Sequence, residues 1–90
     1  MFAADVCLRA ADLIDGDRRR QHGEPQAAHA RIAALWSAYL DYQLTAHDVA
    51  ILMVLLKVAR ITGKTFNADN YVDVAGYAGI AAELATNANA

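Results

Sequence analysis

Four charged residues sit at helical offsets inside otherwise apolar sequence. Lys57 and Arg60 follow the unbroken apolar run 49–56, and Asp69 and Asp73 open the next apolar stretch. At about 100° per residue, Lys57 and Arg60 fall about 60° apart on one helix, while Asp69 and Asp73 share a face of the following one. Glu83 lies about 40° from Asp69 on that second helix and extends the acidic face. Charge removed from water is costly unless it is paired or used. Two chemistries follow. Either the cations neutralise the acids across a helix interface, or they hold a phosphate-bearing ligand, with Asp69 and Asp73 orienting them or binding ribose hydroxyls. Tyr77, on the same helix as the acids, is the candidate to stack on a base.

A second cluster, GDRRRQHGEP at Gly16–Pro25, gives a core nothing to bury. Arginine presents a planar fork of donors that matches phosphate oxygens, so Arg18 and Arg20, with His22, are candidate ligand contacts. A solvated turn is the competing reading. Asp48 stands three residues after Thr45, at the spacing of a capping box, and that role accounts for it without a function. As a Mg²⁺ ligand it would have to act with Asp69 and Asp73 in a hydrolase. His29 reads as a hydrogen-bonded core histidine, His47 as an exposed first-turn residue, and Cys7 as a small core residue. No Cys/His cluster has zinc spacing, no phosphate-loop glycine pattern occurs, and no hydroxyl–imidazole–acid set stands out.

Four helices must position these residues. The first is expected from Ala3 to Asp15, with Val6, Ala10, Leu13 and Ile14 inward and Gly16 as a left-handed cap. The second starts near Pro25 and closes near Asp41, with Ile32, Leu35, Trp36, Tyr39 and Leu40 at core spacing. Thr45 caps the third, which begins at Ala46, ends before Gly63 and reads as a central helix, apolar nearly all round. Asn67 caps the fourth, from Ala68 to about Thr86, with Asp69 where the macrodipole favours acid. Gly76 and Gly79 would permit close helix packing. The tail, Asn87 to Ala90, is expected to fray. No strand-like alternation, repeat or linker is visible, so the chain reads as one all-α domain over residues 1–90.

Composition narrows the partners. In 90 residues, 57% are hydrophobic, more apolar surface than four short helices can hide among themselves, so the four-helix domain is expected to be completed by self-association. A net charge of −2 and a pI near 5.8 offer no basic footprint for duplex nucleic acid. No apolar run is long enough to span a bilayer, and the single cysteine fits a reducing cytoplasm.

GDRRRQHGEP (Gly16–Pro25), RIAALWSAYL (Arg31–Leu40), HDVAILMVLLKVAR (His47–Arg60) and DNYVDVAGYAG (Asp69–Gly79) together give the chain a resemblance. It resembles a small domain family common in phages and prophages, of unassigned function and sometimes labelled phosphofructokinase. The likeness covers about residues 8 to 84. That family often has Tyr where His22 stands and Asp where Glu24 stands, which keeps the loop polar but alters stacking. More distantly, the helical plan is similar to that of the MazG-like all-α nucleoside triphosphate pyrophosphohydrolases. Those enzymes hold Mg²⁺ with an ExxE pair on one helix and an ExxD pair on the next. This chain has no ExxE, and its nearest acids are Glu24, Asp48, Asp69 and Asp73.

The resulting expectation is a cytoplasmic, homo-oligomeric phage-type protein that binds a phosphorylated small molecule, foremost a nucleotide, without a cofactor. Its contacts would be Arg18, Arg20, His22, Lys57, Arg60, Asp69, Asp73 and Tyr77, and sequestering a nucleotide signal of host immunity would be a use for it. The enzymatic alternative is a Mg²⁺-dependent pyrophosphohydrolase using Asp48, Asp69 and Asp73. The third reading is a non-catalytic structural or adaptor protein whose charges are interhelical ion pairs.

Overall fold

The computed structural model describes residues 1–16, 24–63 and 65–87, and these form four α-helices without a strand. They are α1 (Ala3–Asp15), α2 (Pro25–Leu40), α3 (Ala46–Ile61) and α4 (Ala68–Asn87). Asn87 thus belongs to α4, and the remainder of the expected frayed tail lies outside the described residues. None of the described helices is long and apolar enough to cross a membrane.

Local chemistry explains the boundaries. Phe2 N–H donates to the Asp5 carboxylate at 2.9 Å and fixes the start of α1. Pro25, whose missing N–H costs nothing in a first turn, begins α2. At the other end Asp41 adopts the left-handed conformation (φ 52°, ψ 44°), which a short polar side chain tolerates, and its N–H donates to the Ser37 carbonyl. Ser37 then ties down the α2–α3 connection: its hydroxyl accepts from Leu44 N–H at 2.8 Å. The capping box at α3 is complete, with Asp48 N–H donating to Thr45 Oγ1 (3.1 Å) and Thr45 N–H to Asp48 Oδ2 (2.9 Å). Asn67 Oδ1 accepts from Asp69 N–H at 3.0 Å and caps α4.

Gly16 does end α1, but not as a left-handed cap. Its φ is −102° and its ψ −111°. What requires glycine is space, since a Cβ there would lie 2.7 Å from the Asp12 carbonyl oxygen that accepts the Gly16 N–H.

The helices pack in the order α1–α4–α3–α2, each principally against its neighbour in that series. Most contact lies between α3 and α4, which run antiparallel, and α2 rests on α3 alone among the extensive pairings. Such an open series leaves faces uncovered that a closed bundle would bury. Small side chains occupy the inside: Ala10, Ala33, Val49, Ala50, Val72, Ile80, Ala81 and Leu84 are buried, and Val49 and Val72 are the largest that are fully so.

The larger apolar side chains lie outside, against expectation. On α2, Leu35, Tyr39 and Leu40 are exposed, Tyr39 to 89%, while Ile32 and Trp36 are half-buried. The inward residues of that helix are instead Pro25, His29 and Ala33. On α3 only Val49 and Ala50 are buried, so the helix is not enclosed, and Ile51, Leu52, Leu55, Leu56 and Val58 reach solvent. Cys7 is exposed too, because α1 is an edge helix with a single covered side.

Candidate functional site

α1, α3 and α4 place the sequence candidates. Packing α3 antiparallel to α4 brings Lys57 Nζ to 3.1 Å from Asp73 Oδ2, and both side chains are largely covered, 13% and 19% exposed. The expected interhelical ion pair therefore exists for Asp73. Asp69 is not part of it. One turn earlier on α4, its carboxylate takes the Arg9 guanidinium of α1 at 3.0 Å, in an exposed pair. Arg9 carried no signal in the sequence, since its face of α1 becomes meaningful only when α1 docks on α4. Arg60 is exposed in the last turn of α3.

Between α1 and α4, Arg9, Asp12, Leu13, Asp69 and Asp73 line an open groove. Three carboxylates against one guanidinium make its field unfavourable to a phosphate. Deeper, Gly76 and Tyr77 join Asp73, Leu13, Ile14 and Val72 around a cavity of about 10 Å³, the size for one water and far below what a nucleotide requires. Gly76 is buried, yet a Cβ built on it would meet nothing within 4 Å, and one on Gly79 would touch Ile14 Cδ1 at an ordinary 3.6 Å. Neither glycine is held there by close helix packing.

His29 confirms its expected role. It is 7% exposed, its Nδ1 lies 2.9 Å from the Pro25 carbonyl, and its ring meets that of Tyr77 edge-on at 6.2 Å. His47 is half-buried rather than exposed. Tyr77 is thus a bridge from α4 to α2. Arg18, Arg20 and His22 lie outside the described residues, but the described residues on either side of them converge: Ile14 reaches Gly79, and His29, one turn into α2, reaches Tyr77.

Asp48 serves its cap. The Thr45 backbone N–H, followed by the Thr45 side chain, holds its carboxyl below the usual value against a smaller opposing effect of burial, with a minor contribution from His47. In the antiparallel α3–α4 pair it lies nine residues, roughly 13 Å along the axis, from the level of Lys57 and Asp73. Among the described residues no three of His, Cys, Asp and Glu converge as a metal site.

A family model for a domain of unknown function, DUF6378, matches residues 5–85. The chain belongs to this family. Two curated phage proteins are similar to it: the Gene 55 protein of Mycobacterium phage L5, 41% identical over 76 residues, and the Gene 55 protein of Mycobacterium phage D29, 43% identical over 78 residues. The matches cover 83% and 87% of this chain but 49% and 52% of those proteins, so this DUF6378 chain spans about half the length of the curated relatives it matches. No solved structure matches it.

Proposed function

We propose that this DUF6378 domain is a non-hydrolytic binder of a phosphorylated small molecule, foremost a nucleotide, with Arg18, Arg20 and His22 as its contacts. The supporting observation is the convergence of both flanks of the 17–23 segment on one stretch of α4, through Ile14 at Gly79 and His29 at Tyr77. The segment between these flanks carries the richest cation cluster of the sequence, and arginine with its planar fork of donors suits phosphate oxygens. Lys57 and Asp69, by contrast, already have partners at the Asp73 and Arg9 positions, and the α1–α4 groove is acidic. Hydrolysis is the weaker reading because Asp48 is committed to its cap and distant from Asp73. With phage proteins as relatives, sequestration of a host nucleotide signal is the use we assign to such binding.

The test is calorimetry with a panel of nucleotides, with and without Mg²⁺. Binding that needs no Mg²⁺ and produces no turnover is expected. Arg18→Ala/Arg20→Ala should leave the melting temperature nearly unchanged and weaken binding at least tenfold, about 1.5–3 kcal/mol for each lost charge-assisted contact. Equal affinities of wild type and variant would overturn the assignment.

The Lys57–Asp73 and Arg9–Asp69 pairs favour a second reading, an adaptor in which the charges join helices and no small molecule binds. Silence across the whole nucleotide panel would select it.

A further inference from the structure

The solvent face of α3 is apolar from Ile51 to Ala59. Leu52, Leu55 and Ala59 follow one another at spacings of three and four, flanked by Ile51 and Val58, and all five are exposed, Leu55 to 57%. Spacing of this kind forms a narrow seam on a helix, the pattern that pairs one helix with another. The two cations of α3, Lys57 and Arg60, point at least about 140° away from Leu55, so the seam carries no charge between Asp48 and Thr62.

We propose that the occupant of this seam is a second copy of the same chain, with α3 packed antiparallel on α3 of the partner about a two-fold axis at Leu55. Two observations on this chain carry the choice. First, the seam is self-complementary in that register. Leu55 opposes its own equivalent, Leu52 opposes Val58, and the bulky Ile51 opposes the small Ala59, so that large and small side chains interlock and the interface closes. Second, the charge pattern selects the direction: antiparallel packing sets Asp48 against the Thr62 hydroxyl, whereas parallel packing would set Asp48 against another Asp48.

This pairing is independent of the ligand reading, and its test uses the 90-residue chain without any ligand. Sedimentation velocity at roughly 1 to 50 µM should show a dimer, and Leu55→Arg, which sets two like charges at the axis, should raise the dissociation constant at least tenfold. Circular dichroism should show that the variant keeps its helices, because Leu55 is already exposed within one chain. Should Leu55→Arg fail to fold, Cys7→Ser/Leu55→Cys under a glutathione redox couple gives a second readout. The axis places the new thiol against its own copy, so a disulfide-linked dimer should form, and Cys7→Ser/Gln43→Cys, off the seam, should not form one. A monomer across the concentration range would overturn the proposal. So would a dimer indifferent to Leu55→Arg together with no cross-link at position 55, which would locate the contact elsewhere.

Discussion

Lys57 and Asp73 hold their charges in little water, and the consequence is asymmetric. Removing one partner leaves the other half-solvated and alone, whereas removing both leaves nothing to pair. Lys57→Ala should therefore destabilise by about 2–4 kcal/mol, the range for a broken buried pair reduced for the remaining exposure. Lys57→Met with Asp73→Asn should recover most of that loss. Urea denaturation of Lys57→Met, Asp73→Asn and their double checks this, and additive losses would mean that the residues do not interact. Arg9→Ala, at an exposed pair, should cost no more than about 1 kcal/mol in the same experiment. At Asp48 the folded carboxyl titrates below its ordinary value, so its contribution to stability is present above the unfolded pKa near about 3.9 and is lost as pH falls through the folded one. Asp48→Ala should consequently be less stable than wild type at neutral pH, with the gap narrowing below about pH 4. A gap that persists unchanged to pH 2 would remove the charge from the explanation.

Among the elements, α4 carries the most interactions, since it receives α1 on one side, α3 on another and the His29 ring of α2 at Tyr77. Gly76 in its middle is anomalous: glycine weakens a helix, and here no neighbour forbids a side chain. Gly76→Ala should raise stability by about 0.5–1 kcal/mol through helix propensity and lost freedom of the unfolded chain. Thermal or chemical melts would show it directly. A loss of stability would mean that the space beside Gly76 is occupied in the assembled protein. For α3 the decisive feature is the one-sidedness of its burial, with Val49 and Ala50 covered and the Ile51–Ala59 seam bare.

At the scale of the whole molecule, an open series of four helices gathers alanines inside and leaves leucines and tyrosines outside. On the proposed α3–α3 pairing, folding and association are linked, because the dimer would bury part of that outer surface. The melting temperature should accordingly rise with protein concentration between about 1 and 100 µM, by a few degrees for each tenfold step. A melting temperature independent of concentration, measured by differential scanning fluorimetry or calorimetry, would mean that the single chain is the folding unit despite its exposed face.

Helix limits and N-terminal caps were legible in the sequence because they depend on neighbours within one turn, whereas the conformation of the Gly16 cap was not. Pro25 starts α2 because a first turn needs no N–H there, and the Thr45–Asp48 box and Asn67 start α3 and α4 through bonds spanning three residues or fewer. The Lys57–Asp73 pair was legible for a related reason: charge set in apolar helices has few places to go. Tertiary structure alone decided the rest. Periodicity identifies the apolar face of α2 or α3 but not which neighbour covers it, so Leu35, Tyr39 and Leu55 read as core although no other described helix closes over them. Asp69 was assigned to Lys57 or Arg60 because the sequence cannot tell that α1 docks beside α4 and offers Arg9 first. In both cases the missing information was the order in which helices pack, which follows from burial summed over the whole chain and is encoded in no single segment.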